Sequence, residues 1–289
     1  HLNSAGLHGA REAPHKLCVM RIETLVVTID QSDHSLVARM NLQTDAVVGN
    51  QCQCTSREEL FLKNGKVTYL NMAERGVGKN RNIVLQNATA DICVFADDDM
   101  TFVDGYPQIV ERAIEECPKG DVLIFNLIEK RPRRYVNKKI KRIRQYNYAK
   151  YGAARLVIRR QRVADADITF STMFGGGARY GSGEDTIFLK ECLDKGLRVY
   201  AVPYAIAEID QSAVSSWFTG YTEKYFYDKG ALYASLYPRI WRMIAVRFLL
   251  RHSNTYKNHM PFGAALKSML RGGTDFPAER KRYGECGSA

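Results

Sequence analysis

The sequence predicts an α/β fold, a mostly parallel sheet flanked by helices, with a helical extension at its C-terminus. Three features predict it. Short apolar runs alternate with helical patterns as far as residue 202, as they do when parallel strands are joined by crossover helices. One run, Val94-Phe95-Ala96, leads straight into Asp97-Asp98-Asp99. That puts three carboxylates at the carboxyl end of a buried strand, where open α/β sheets hold their ligands. From Tyr221 to about Leu270 the pattern is helical and aromatic.

Glu23 to Asp30 (ETLVVTID) reads as the first buried strand. Ser35 to Asn41 is a short helix, Ala46 to Asn50 a second strand and Val67 to Leu70 a third. Gly78 to Ala90 is a helix with Ile83, Val84 and Ala88 on its apolar side. Asp91 to Ala96 is the fourth strand, Tyr106 to Glu116 a helix and Asp121 to Ile128 another strand. Residues 131–165 are different: they are basic, with Tyr135, Tyr146, Tyr148 and Tyr151 interleaved. The glycines 175, 176, 177, 181 and 183 predict a mobile loop over Thr172 to Gly183. Asp185 to Lys195 is a helix closed by Gly196, and Arg198 to Val202 the last strand. Residues 20–215 are thus expected to form the α/β domain, and 216–289 a helical region and tail. The poorly patterned residues 1–19 are set aside as a leader or appended segment.

Hydrophobic content is 45% and charged content 25%, as in a soluble globular protein. The net charge of +11 invites nucleic acid, an anionic membrane surface or phosphorylated substrates. That excess is concentrated in Arg131 to Arg162 and from Arg239 onward. Seven cysteines without zinc spacing, Cys93 and Cys192 in apolar patterns, point to a reducing compartment, the cytosol. No run of 18 apolar residues is present to span a membrane.

Three motifs carry chemistry. Adjacent carboxylates repel by ~1 kcal/mol at ~4 Å even in water, and more in a dry site. Asp97-Asp98-Asp99 therefore asks for a cation, with a hard divalent ion the first candidate and turn or cap residues the alternative. Gly183-Glu184-Asp185-Thr186 opens a helix after the glycine loop. Its carboxylates complement the helix dipole, or one is a general base in a site that closes over substrate. Gly76-Val-Gly-Lys-Asn-Arg-Asn82 fails as a P-loop, with Ala73 and Asn80 at defining positions, and as a dinucleotide fingerprint, with Arg81. A helix start with Lys79 and Arg81 still suits a phosphate, a solvated basic turn being the alternative.

Thr28-Ile-Asp30, Gly76…Arg81-Asn82, Phe95-Ala-Asp97-Asp98-Asp99 and Gly183-Glu184-Asp185 occur in this order. Order and spacing resemble family-2 glycosyltransferases of the GT-A fold over roughly residues 22–210, above all bacterial enzymes of capsule and O-antigen type polysaccharide synthesis. The acidic triplet resembles their DxD element and Glu184-Asp185 their ED motif. The resemblance implies a nucleotide-sugar donor, a UDP-sugar first, and a hydroxyl acceptor on a glycan or lipid-linked glycan. It implies that Thr28 and Asp30 lie near base and ribose, that Asn50 and Gln51 line the same pocket, and that Arg81 faces the nucleotide or diphosphate. Asp97 and Asp99 would flank Mn²⁺ or Mg²⁺, with Asp98 near the donor sugar or ribose. Asp185 would deprotonate the acceptor, Glu184 helping to orient it, with inversion at the anomeric carbon. Many relatives supply a metal-binding histidine after the last strand. Here Ala207-Glu208-Ile209-Asp210 has none, and Glu208, Asp210 or water takes its place.

Two other functions are weighed. A nucleotidyltransferase would favour a glycine-rich loop after the first strand, where Asp30-Gln-Ser-Asp33 has none. A nucleic-acid-binding module would use the basic, aromatic stretch 131–162 for stacking and neutralisation, but no recognised motif accompanies it. Arg239 to Arg251 interleaves arginines with large apolar residues. It either lies at an anionic membrane surface, the inner face of the plasma membrane, or packs as a helix on the domain or in a homo-oligomer.

Overall fold

A computed structural model of the chain describes residues 20–130, 136–210, 218 and 220–283. The predicted leader, residues 1–19, lies outside them, as does Tyr135.

Strand β1 (Ile22–Ile29) is followed by helix α1 (Leu36–Arg39), β2 (Asp45–Gln51), β3 (Ser56–Leu62), β4 (Gly65–Met72) and helix α2 (Val77–Asn87). Then come β5 (Ile92–Asp97), β6 (Met100–Phe102), α3 (Tyr106–Glu116) and β7 (Val122–Ile128). The basic stretch supplies β8 (Lys141–Arg142), β9 (Leu156–Arg159) and α4 (Arg160–Asp165). Helix α5 (Glu184–Asp194) and β10 (Val199–Ile209) complete the α/β part. The C-terminal helices are α6 (Glu223–Leu236), α7 (Trp241–Arg251), α8 (Ser253–Tyr256) and α9 (Phe262–Tyr283).

The strands form one sheet in the order β3-β4-β2-β1-β5-β9-β7-β10-β6, with β8 pairing β10. Strands β4, β2, β1 and β5 are mutually parallel, so their carboxyl ends share one edge. The other half departs from a mostly parallel sheet: β9 runs antiparallel between β5 and β7. The sheet is therefore mixed.

The pleat divides the core in two. Leu25, Val27, Val47, Cys93 and Phe95 face α2 and α5, packing with Val84, Phe170 and Phe188. The alternate residues Val26, Ala46, Val48, Ile92 and Val94 face α1 and α3, packing with Leu36, Tyr106 and Val110. Both faces are covered, which is why these strands read as continuous apolar runs. The basic stretch is also partly core: Ile143, Tyr148 and Tyr151 are buried, and Arg155 is buried against Glu129 at 3.0 Å.

The C-terminal helices pack through glycine. A β-carbon at Gly230 on α6 would lie 1.9 Å from the Met269 carbonyl oxygen on α9. One at Gly272 would lie 2.0 Å from the Tyr227 carbonyl, and one at Gly273 2.4 Å from the Trp241 ring. At Gly230 and Gly272 helices α6 and α9 cross backbone to backbone, while Gly273 leaves room for the Trp241 ring of α7. No helix among the described residues is long and apolar enough to cross a membrane.

This contact predicts that Gly230→Ala forces α6 and α9 apart and lowers stability by about 1–3 kcal/mol. Gly263→Ala, whose β-carbon meets open space, serves as the neutral control. Urea unfolding of the two variants checks the difference.

Candidate active site

The acidic triplet sits where the sequence puts it, at the carboxyl end of β5 and the turn into β6. Each carboxylate has a different setting. Asp97 Oδ1 accepts from Arg81 at 2.8 Å. Asp98 Oδ2 accepts from the Thr28 hydroxyl at 2.5 Å, since Val27 pairs with Asp97 in the register of β1 on β5. Asp99 Oδ1 is buried and has no hydrogen-bond partner. Burial, then the charges of Asp97, Asp98 and Asp210, push the Asp99 carboxyl up to about 6.

Arg81, in the middle of α2, is 4% exposed. Its guanidinium donates to Asp97 and, at 2.7 Å, to Glu184 Oε1, and lies over the Phe170 ring at 5.5 Å. Burial opposes its charge, but Asp97 and then Glu184 outweigh that and hold it protonated. The sequence reading put Arg81 at a diphosphate. Instead it is enclosed between the two acidic motifs and ties them together.

Glu184 opens α5 and is buried, its other oxygen accepting from the Gly183 amide at 3.1 Å. A β-carbon at Gly175 would come within 2.8 Å of that carboxylate, so glycine is required where the loop passes it. Asp185, one residue further round the helix, is half-buried, and its Oδ1 accepts from the Thr186 amide at 2.6 Å. Lys229 on α6 faces it: burial pushes the ammonium down, while the charges of Asp185 and Asp228 pull it back.

The predicted mobile loop is instead a tethered one. Tyr180 N donates to Met173 O and Gly175 N to Tyr180 O, and the buried rings of Phe174 and Tyr180 stack at 4.7 Å. Val77 N, the first amide of α2, donates to Gly176 O. From the C-terminal side, Glu279 on α9 accepts from Arg179 and from the Tyr180 hydroxyl. Asp228 accepts from Gly181 N at 2.9 Å, and Lys224 Nζ donates to Arg179 O at 3.0 Å. Sequence reasoning missed Glu279 and Asp228, which lie in helical segments with no motif to mark them.

The helix start at Gly76 to Asn82 is likewise committed to structure. Gly76 N donates to Gln51 Oε1 at 2.6 Å, Lys79 pairs with exposed Glu74, and Asn82 exchanges two hydrogen bonds with the Phe170 backbone. Asn80 Nδ2 donates to Gly49 O at 2.8 Å. Of the phosphate cradle read from this segment, the Gly76 and Val77 amides and the Arg81 guanidinium are engaged by the protein itself. Asn50 and Gln51 end β2 as expected, but both side chains are buried and point to protein. Asn50 bonds Gln31 and Asn71, and Gln51 caps α2. They shape the edge from beneath. Asp30 lies exposed at the edge with φ +51° and pairs with Arg75 at 3.0 Å, a partner the sequence reading missed.

Glu208 is exposed on β10 opposite Thr101 and exerts no leading charge effect on Asp99. Asp210, whose amide donates to the Asp99 carbonyl at 2.8 Å, does. Of the two substitutes considered for the missing histidine, the pleat brings Asp210 to the triplet. Among the described residues no group of three or more His, Cys, Asp and Glu is arranged to hold a metal ion. The nucleic-acid reading loses its aromatics: Tyr148 and Tyr151 are core residues, and only Tyr146 of the described tyrosines in that stretch is largely exposed.

Comparison with known proteins agrees with this geometry. Residues 52–174, from just before β3 into the glycine loop and including the acidic triplet, match the model of glycosyl transferase family 2. No curated protein matches the chain. Among solved structures the chain is similar to S. aureus TarS 1–349 in complex with UDP-GlcNAc, at 16% identity and TM-score 0.59 over 93% of each chain. Against a longer TarS structure it covers 92% of itself and 53% of that chain, at 15% identity and TM-score 0.56. It is also similar to the Pyrobaculum calidifontis mannosyltransferase PcManGT in complex with GDP-Man and Mn²⁺, at 11% identity and TM-score 0.51 over 90% and 88%. The fold is the GT-A fold of glycosyltransferases, and the family match marks the chain as an enzyme of that class.

Removing the Arg81 charge leaves Glu184 buried without its counterion. Arg81→Met is expected to cost about 3–5 kcal/mol. Lys79→Met, which breaks an exposed pair, costs under about 1 kcal/mol. Urea denaturation of both variants checks the contrast.

Proposed function

We propose that the chain transfers a sugar from a nucleoside diphosphate sugar, a UDP-sugar, to a hydroxyl of a glycan or lipid-linked glycan in bacterial surface polysaccharide synthesis, inverting the anomeric carbon. The observation that carries this reading is the tie of Arg81 to both Asp97 and Glu184, which gathers the two acidic motifs at one edge of the sheet. The likeness to structures holding UDP-GlcNAc and GDP-Man supports a nucleotide-sugar donor. Free thiols at the five described cysteines support a reducing, cytoplasmic setting.

A divalent cation, Mn²⁺ or Mg²⁺, fits the triplet on one count. The buried, unpartnered oxygen of Asp99 lies among three further carboxylates, those of Asp97, Asp98 and Asp210, and only positive charge relieves that. Asp99 and Asp97 would hold it, with Asp210 rather than Glu208 adding negative charge nearby. When bound, it neutralises charge on the departing diphosphate. The remaining chemistry falls to the chain. Thr28 and Asp30 bound the donor pocket at the end of β1, with Asn50 and Gln51 as its floor and Asp98 held toward the pocket by Thr28. Asp185 takes the proton from the acceptor hydroxyl. Its Oδ1 is fixed by the Thr186 amide, which orients the carboxylate. The acceptor oxygen bonds to the anomeric carbon as the bond to the diphosphate oxygen breaks on the opposite side, hence inversion. Arg81 and Glu184 act on this through position: they set where α5, and with it Asp185, meets the triplet.

Two experiments test the reading. UDP binding measured by calorimetry should require divalent ion, vanish in EDTA and be lost in Asp99→Asn with the fold intact. It should also weaken as pH falls below about 6, where Asp99 takes up a proton that competes with the cation. Affinity unchanged by EDTA would sink the metal role. Asp185→Asn should keep UDP binding and lose transfer by roughly 10²–10⁴-fold, the worth of a general base. A product that retains the donor's configuration would refute the single displacement.

A further inference from the structure

Helix α7 has two apolar faces. Trp241, Ala245 and Leu249 follow one another at helical spacing and are buried on the side where α7 packs with α6 and α9. On the far side Met243 is 72% and Leu250 63% exposed, with Ile240 at 50% just before the helix. At about 100° per residue, Met243, Val246 and Leu250 fall on one outward strip. Arg247 and Arg251 flank that strip on one side and Arg242 on the other. Met243 and Leu250 of the strip, with Arg247, Arg251, Ile240 and Ile244, line an open groove of about 700 Å³.

The charge around it has one sign. From Lys229 to Thr274 the chain holds eight Lys and Arg and no Asp or Glu. Among the described residues no carboxylate pairs with Arg239, Arg242, Arg247 or Arg251. The arginines that seem to interrupt an apolar helix in the sequence are its borders, because Trp241, Ala245 and Leu249 belong to a different, packed face.

We infer that this face of α7 seats on an anionic phospholipid surface. A second copy meeting it face to face would set arginine against arginine. A nucleic acid would take the arginines and leave Met243 and Leu250 in water. An anionic bilayer takes both: the apolar strip enters the headgroup boundary while the flanking arginines reach the phosphates. The inference stands independently of the donor and the metal.

Flotation of the full chain tests it, on vesicles of phosphatidylglycerol and phosphatidylcholine in equal parts against phosphatidylcholine alone. The chain should float with the anionic vesicles at low salt and be released at high salt. Each arginine near the surface contributes roughly fivefold to partition, so Arg247→Gln with Arg251→Gln weakens it by about 25-fold. Met243→Ser with Leu250→Ser weakens it by about 30-fold or more. Both pairs are exposed, and their thermal midpoints should match the wild type. Failure of the folded chain to float with anionic vesicles at low salt would overturn the inference. So would equal recovery on neutral vesicles, or either double variant floating like the wild type. A concentration-dependent dimer abolished by Met243→Ser with Leu250→Ser, without vesicle binding, would give the face to a second copy instead.

Discussion

The site depends on one buried guanidinium. Arg81 reaches from α2 to Asp97 at the end of β5 and to Glu184 at the start of α5, and its ring neighbour Phe170 closes one side. Burying a charge this deeply is unfavourable unless its hydrogen bonds are met. Two carboxylates on two nitrogens meet them. The planar fork also fixes direction in a way an ammonium would not. Strand end and helix start are therefore held at one angle. With Glu184 turned inward to Arg81, the 100° step along the helix carries Asp185 away from it, toward Lys229. One ion pair thus decides which of two adjacent acids is structural and which turns away from it.

The second constraint comes from the C-terminal helices. They reach the glycine loop through Glu279 and Asp228 and reach each other through Gly230 and Gly272. Hydrogen bonds, first from Arg179, hold Glu279 down to about 2, so the clamp stays ionised through the physiological range. The extension is then part of the site rather than an appendage: moving α9 against α6 moves the loop that carries Gly183. Close backbone crossings transmit such movement because they leave no side chain between the helices to yield.

Much of the fold was legible because parallel strands buried on both faces write themselves as apolar runs. Helix α3 lies where its pattern predicts, Tyr106 to Glu116, and β1, β2 and β5 within a residue or so. The misses have physical causes. Strand β3 (SREELFL) is an exposed edge strand, so it has no apolar run to show. Strand β9 is only LVIR, set among arginines that hydrogen-bond to the protein around it. The glycines at 175 and 183 signal close approach, to Glu184 and to Leu232, where mobility was read. The acidic motifs were visible because charge at a strand end or helix start is a local feature. That Arg81 joins them was not, since a pairing across 103 residues leaves no periodicity.

The triplet itself then makes physical sense. Three adjacent carboxylates at a strand end would repel one another, yet the strand tolerates them because two of the three turn to partners of their own. Asp97 meets a cation that belongs to the protein, and Asp98 meets the Thr28 hydroxyl. Asp99 keeps a buried oxygen with no partner, under the field of Asp97, Asp98 and Asp210, and its proton is held up to about 6. Arg81 cannot relieve that, since both of its bonded nitrogens are engaged elsewhere. At neutral pH the protein by itself therefore leaves unbalanced negative charge at this one point of the sheet edge. A proton or a cation would balance that charge, at the one oxygen of the triplet that is buried without a hydrogen-bond partner.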